Sequence, residues 1–284
     1  MQAVSPSIFF RGSDVGFHQP WVMGILNVTP DSFFDGGKHD SLQAAVDHAD
    51  QMLAAGADVL DLGAQSTRPG AVQVGPDEEW ARLSPVLRAI RDRHVDAVLS
   101  IDTFHPEVAQ RALDAGADWI NDVTGGTDAM WKVVAQARCP YVMMHMQGTP
   151  ATMQDNPSYD DITTDVASAL RRKLERAAEV GVTNVIVDVG FGFGKTVGHN
   201  FALLQNLESF QSLNHPVLVG VSRKSMIQRA LNVTSDQALN GTTALHAWAL
   251  DRGAHILRVH DVKEACEVRD LHHALNRAPN NPVN

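Results

Sequence analysis

The stretch DVGFGFGKT, residues 188–196, joins a carboxylate to three glycines, two phenylalanines and a Lys-Thr step. A phosphate-binding P-loop needs glycine, four residues, then Gly-Lys-Ser/Thr. Counting back from Gly194-Lys195-Thr196 puts its first glycine at position 189, which is Val189. The dinucleotide fingerprint fails as well, because the glycines run G-x-G-x-G and not G-x-G-x-x-G. The likeness of Lys195 to a phosphate lysine is therefore cosmetic, and its side chain is expected in solvent. Asp188 ends the apolar run VIVDV. A lone carboxylate there, followed by a glycine-opened loop with two phenylalanines, suits a flat, nitrogen-rich ligand. Capping of the next helix is the competing role, but GFGFGK separates Asp188 from that helix. Arg258 and His260 stand two apart on one expected strand, so they share a face and can grip one anion. Asp102, in SIDT, is by spacing alone open between a functional carboxylate and one that bonds the next loop. Asn27, taken alone, reads as closing a turn before Pro30.

The elements that must position these residues announce themselves by repetition. LAAGADVLDLG begins at Leu53, LDAGADWINDV at Leu113 and LDRGAHILRVH at Leu250, with AEVGVTNVIVDVG from Ala178 as a looser copy. In each, a helix runs into a glycine (Gly56, Gly116, Gly181, Gly253) able to take the left-handed cap. A short, continuously apolar strand follows, as in parallel sheets covered on both faces. Further strands are expected at 21–29, 98–103, 141–146 and 217–222. Helices are expected at 41–55, 77–93, 106–115, 128–137, 158–180, 199–209, 238–251 and 264–276. Such strand–helix alternation predicts an α/β fold, a single-domain (β/α)8 barrel over 21–277. Residues 1–20 form a lead-in or hairpin and 278–284 a tail. An open doubly wound sheet is the runner-up, weakened by the lack of a nucleotide-binding glycine turn after the first strand. Barrel chemistry sits at the C-terminal strand ends, where Asn27, Asp61, Asp102, Asn121, His145, Asp188, Ser222, Arg258 and His260 are expected to share a pocket.

Composition excludes several classes. A net charge of −10 over 284 residues argues against a nucleic-acid surface and fits an enzyme that concentrates its cations where an anion binds. Two cysteines, Cys139 and Cys266, form no metal spacing or disulfide framework, which points to a reducing compartment. No apolar run is long enough to span a membrane, and the first residues lack the pattern of a signal peptide. A cytoplasmic enzyme is the expectation.

The blocks GILNVTPDSFFDGG (24–37), STRPGA (66–71), SIDTF (100–104), INDVTGG (120–126), MHMQGTP (144–150), DVGFGFGKT, GVSRKS (220–225) and RVHDV (258–262) together resemble the dihydropteroate synthase family of pterin-binding barrels. They span almost the whole chain. The resemblance implies a transferase, usually a homodimer, that condenses 6-hydroxymethyl-7,8-dihydropterin diphosphate with p-aminobenzoate and is blocked by sulfonamides. It implies Mg²⁺, with Asn27 as metal ligand. It places Asp102, Asn121, Met143, Asp188, Gly220, Lys224 and Arg258 around the pterin. It places Asn27, Thr67, Arg68, Arg258 and His260 on the diphosphate. Phe33, Thr67, Pro69, Phe193, Lys224 and Ser225 fall to p-aminobenzoate, with Ser225 opening a helix. Asp102, Lys224, Arg258, Asp35 and Arg68 are the expected catalytic groups. Loops 29–37 and 64–71 are expected to fold over substrate. The family usually has proline where Val189 stands and glutamate where Gln65 stands. A pterin-binding methyltransferase and a non-catalytic pterin-binding homologue are the alternatives. The first would not need STRPG or the Arg-x-His pair, and the second should lose Asp102, Arg68, Phe33 or the Lys224 region.

Overall fold

The computed structural model describes residues 6–28, 38–65, 73–149, 152–153 and 155–277. The chain opens with a hairpin, β1 (Ser7–Phe10) and β2 (Ser13–Gly16), paired antiparallel. Then come β3 (Trp21–Asn27), α1 (Lys38–Ala54), β4 (Val59–Gly63), α2 (Pro76–Arg93), β5 (Val98–Asp102), α3 (Pro106–Asp114), β6 (Trp119–Asp122) and α4 (Asp128–Ala137). The second half continues with β7 (Tyr141–Met144), α5 (Ile162–Glu179), β8 (Val185–Asp188), α6 (Val197–Gln205), a 3-10 turn (Leu207–Leu213), β9 (Val217–Val219), α7 (Ser225–Leu231), α8 (Leu239–Asp251), β10 (Ile256–Val259) and α9 (Val262–Arg277). Strands β3 to β10 close into an eight-stranded parallel barrel in sequence order, with β10 paired to β3. This is the (β/α)8 architecture.

The repeated phrase behaves as its glycines require. Gly56, Gly116, Gly181 and Gly253 have φ of +99°, +97°, +91° and +84°, a left-handed exit from the helix that a side chain would oppose. The expected helix at 199–209 divides into α6 and the 3-10 turn. Helix α5 starts at Ile162 because Asp161 caps it, accepting from Thr164 N at 2.7 Å.

Strand alternation sorts the barrel into two cores. Met23, Val59, Trp119, Val142, Ile186, Leu218 and Ile256 form an inner cluster with Ile8 and Phe17 of the hairpin segment. Their strand neighbours, such as Leu60, Ile120, Met143, Val187 and Leu257, join the outer cluster with the helices. Two residues further along each strand the side chains return to the interior. Those second-layer residues are Ile25, Asp61, Ser100, Asn121, Met144, Asp188, Gly220 and Arg258, five of the eight polar or charged. Apolar packing thus fills the lower barrel, and the next layer up is polar.

Candidate active site at the barrel mouth

Arg258 is the centre of that polar layer. Its Nε donates to Asp61 Oδ2 and its Nη2 to Asp102 Oδ2, both at 2.6 Å. Asp61 is fully buried and also accepts from Ser100 Oγ at 2.6 Å and Asn121 Nδ2 at 2.9 Å. Asn121 is thereby oriented, with its amide nitrogen committed to Asp61. Burial pushes the Asp102 carboxyl up to about 7; Arg258 opposes the rise, and Asp61, Glu79 and Asp122 add to it. Burial disfavours the Arg258 charge, but Asp61 and Asp102 outweigh it and hold the guanidinium protonated. Two carboxylates on one guanidinium leave the cluster poised to exchange an internal partner for a cationic or hydrogen-bonding ligand.

Asp188 sits at the end of β8, buried, with Oδ1 accepting from Gly190 N at 2.7 Å. Burial raises its pKa, against the pull of Lys224, that backbone N–H, Arg258 and Lys195. It does not cap α6: Thr196 does, accepting from His199 N at 3.1 Å. Lys224 donates to the Phe191 carbonyl, and its Nζ lies 4.7 Å from the centre of the Phe193 ring. Burial lowers the Lys224 ammonium to about 8, with Asp188 holding it up, Arg258 lowering it further and Asp102 opposing. The turn that presents Lys224 is held from behind. Arg223 has φ of +54°, forks onto Asp261 at 2.9 and 2.6 Å, and donates its N–H to Thr242 Oγ1 at 3.0 Å. A Cβ on Gly220 would come within 3.9 Å of both Lys224 Nζ and Arg258 Cβ, so glycine keeps this wall open.

Asn27 pairs with Gly63, and Gly63 with Asp102, across adjacent strands. A Cβ at Gly63 would lie 3.7 Å from Asp102 Oδ2 and 3.8 Å from Asn27 Oδ1, so both oxygens flank the space glycine leaves. His260 follows β10, exposed, with Nδ1 3.0 Å from Ser222 Oγ. Ser225 is exposed at the first position of α7, next to Lys224.

Two expectations need correction. Met143 does not face the mouth. It pairs with Val187 and lies with it in the outer cluster, whereas Met144 pairs with Asp188 and alternates inward. Lys195 is not in solvent. It is 3% exposed, because the 190–194 loop folds back against the end of β7 and carries it inside. Phe33, Asp35, Thr67, Arg68 and Pro69 lie outside the described residues. Gln65, at the edge of that second segment, receives Val74 N at 2.7 Å and donates to Val74 O at 3.2 Å, a two-way clamp that a carboxylate could not complete. The sequence marks Asp61 only as a strand-end residue without a task, and Ser100 carries no motif signal of its own. Counting two residues up from each apolar inner position would have found both.

The pterin binding enzyme family model matches residues 23–260, from the third residue of β3 to just past the end of β10. The dihydropteroate synthase of Escherichia coli K12 is 45% identical over 263 residues, covering 92% of this chain and 93% of the relative. This chain belongs to the dihydropteroate synthase family. Solved members of the family superpose closely. The Xanthomonas albilineans dihydropteroate synthase with 4-aminobenzoic acid has a TM-score of 0.90 at 40% identity, covering 97% of this chain and all (100%) of that one. The Yersinia pestis dihydropteroate synthase in a sulfonamide drug complex has a TM-score of 0.90 at 42% identity, covering 96% and 100%. Asp188, Lys224 and Arg258 are thus set in the framework of a transferase family, of which these two solved members hold 4-aminobenzoic acid and a sulfonamide drug.

Proposed function

We propose that the barrel mouth condenses 6-hydroxymethyl-7,8-dihydropterin diphosphate with p-aminobenzoate, giving 7,8-dihydropteroate and diphosphate for folate biosynthesis. The observation that carries the reading is the inner layer itself: Asp188, Asn121, Asp102, Arg258 and Lys224 converge on one interior from five different strand ends or following turns. A dihydropterin is flat, with a 2-amino group and ring N–H on one edge. Asp188 accepts from that edge, Asn121 takes part beside it, and Lys224 donates to the ring carbonyl or a ring nitrogen. Met144, rather than Met143, offers the apolar contact.

Breaking the C–O bond sends its electron pair out with diphosphate and leaves positive charge on the pterin methylene. Asp102 faces that charge and stabilises the transition state more than the ground state. The aniline nitrogen then forms the C–N bond and sheds a proton to water. Arg258, stripped from one carboxylate as substrate enters, turns its fork to the departing anion, with His260 beside it. The ring of p-aminobenzoate lies against Phe193 and the Lys224 stem, with Ser225 at its carboxylate end.

Among the described residues no three His, Cys, Asp or Glu side chains gather to hold a metal. Asn27 Oδ1, beside the gap at Gly63, would give Mg²⁺ one neutral oxygen, with diphosphate and water supplying the others. Bound there, Mg²⁺ would neutralise leaving-group charge. A cytoplasmic homodimer completes the proposal. Among the described residues, no helix is long and apolar enough to cross a membrane. Release of diphosphate that requires both p-aminobenzoate and Mg²⁺ tests the reading. Repeated turnover without the aniline, or no release in the presence of all three components, overturns it.

A further inference from the structure

Lys195 is the deepest lysine-bearing feature of the mouth, and nothing in the condensation calls for it. Its Nζ lies 3.0 Å from His145 Nδ1, 3.3 Å from the His145 carbonyl and 2.9 Å from the Phe193 carbonyl. An ammonium has three N–H bonds, and each finds an acceptor here. His145 can accept at Nδ1 only as neutral imidazole with its hydrogen on Nε2. Burial, then the charges of Lys195 and Lys173, hold its pKa down to about 3, in keeping with that form. His145 follows β7, and its own N–H donates to the Asp188 carbonyl at 2.9 Å. Phe193 lies beyond β8. The ammonium therefore bridges two adjacent strand ends.

The bridge has a fitted seat. A Cβ on Gly190 would stand 1.9 Å from the His145 carbonyl oxygen, and one on Gly194 would stand 2.6 Å from that of Gln147. Both glycines have positive φ, so the 190–194 loop lies backbone to backbone on the 145–147 segment. Tyr159 donates to the Gly194 carbonyl at 2.7 Å from the outer side. Lys224 holds the Phe191 carbonyl and faces the Phe193 ring. Lys195 and Lys224 thus grip two carbonyls of one loop, and both charges act on Asp188. Burying an ammonium is costly unless it is paired and fully bonded. Packing alone would be served by methionine.

We infer that Lys195 is a positioning residue of the mouth: it ties the 190–194 loop to the end of β7, so that Phe193 presents its ring beside Lys224 for the aminobenzoate. The inference rests on the aminobenzoate role given to Phe193 above. The ionisable groups facing Lys195 are His145 from the end of β7, Asp188 from the end of β8 and Lys224 from the turn after β9, with Lys173 of α5 acting on His145. Burial lowers the Lys195 ammonium to about 7, with Asp188 raising it and Lys224 lowering it further.

The test is KM and kcat for p-aminobenzoate on wild-type, Lys195→Met, Lys195→Gln and Phe193→Ala proteins, with calorimetric binding of 6-hydroxymethylpterin alongside. Lys195→Met should raise KM for p-aminobenzoate about tenfold, the scale of one lost charge-assisted hydrogen bond, and lower kcat by a smaller factor. Lys195→Gln keeps N–H donors but loses the charge and some reach, so it should raise KM by a smaller factor, and it stands in if the methionine variant does not fold. If KM stays at the wild-type value in every Lys195 variant that folds while Phe193→Ala raises it, the positioning role is overturned. If Phe193→Ala itself leaves KM unchanged, the aminobenzoate reading of Phe193 falls instead.

Discussion

The two ends of the barrel handle buried polar groups in opposite ways. At the bottom, charge is matched and closed. Arg11 lies at the hairpin tip with φ of +48°, a costly conformation for a side-chain-bearing residue. Its guanidinium spans Asp118 at 3.2 Å and the carbonyls of Asp96 and Ala97, both at 2.9 Å. Arg91 reaches the other side of Asp118 at 2.7 Å. Above them Trp21 stacks on Trp119 at 5.7 Å, and Phe10 meets Trp119 edge-on at 6.1 Å. At the mouth the account is left open. Three buried carboxylates and two lysines have pKa values displaced toward their neutral forms or share one guanidinium. The difference teaches that a parallel barrel can hold rigidity and reactivity in one interior by stacking them in separate layers. Apolar side chains fix the lower layer, so strained electrostatics can be tolerated in the upper one.

The comparison breaks if stability and activity do not separate along the axis. Trp119→Ala should carry the largest effect, a loss of about 3–5 kcal/mol in unfolding free energy, since it empties the centre of the lower layer. Urea denaturation measures it, and turnover of the still-folded fraction at low temperature should stay near wild type. A large fall in kcat without a fall in stability would show the layers to be coupled. Asp102→Asn should do the reverse. Its thermal midpoint should hold, since the like-charge crowding around Arg258 is relieved, while kcat falls on the order of 10²-fold. Steady-state kinetics beside a melting curve checks both halves.

Asp188→Asn should cost roughly 1–3 kcal/mol of pterin affinity, because an amide donor is turned toward ligand donors. Calorimetry with the pterin alone reads this without chemistry.

Acid should sharpen the comparison further. Burial lowers His145 to about 3, and His246 and His255 to about 4. Unfolded histidines take up protons near pH 6.5. From about 6.5 down to about 4 the unfolded chain therefore binds protons that the folded chain refuses, and stability falls as pH falls. Melting temperatures across that window should decline, with His246→Leu flattening the slope. His246 is buried in α8 with neither ring nitrogen bonded. At neutral pH the same substitution should give the smallest effect, a gain of about 1 kcal/mol from removing unsatisfied polar atoms.

Much of this was legible from the chain alone. The strand–helix repeats are local, and each glycine cap and apolar run states its own conformation within about a dozen residues. Thus the eight strands fall where the repeats put them, with ends shifted by a residue or a few. Asp102, Asn121, Asp188, Lys224 and Arg258 stand in motifs dense enough to be recognised. The rest depended on partners far away in sequence. Arg258 finds Asp61 across 197 positions and Asp102 across 156. Neither distance is readable before the barrel closes.

Two residues show where the boundary lies. Met143 and Met144 are chemically identical neighbours, and composition cannot choose between them. Strand register turns one toward the helices and the other toward the barrel interior, because successive side chains on a strand point to opposite faces. Lys195 follows a glycine in a loop, a setting that locally favours solvent. The tertiary structure buries it, since His145 and Phe193 supply acceptors from two different strand ends and their combined hydrogen bonds offset the loss of hydration. The sequence by itself determined the barrel, its repeat and the family chemistry, because those are written in local patterns. Only the closed fold decided which charges share an interior and which lysine holds the loop, because desolvation and long-range pairing exist only once the chain has packed.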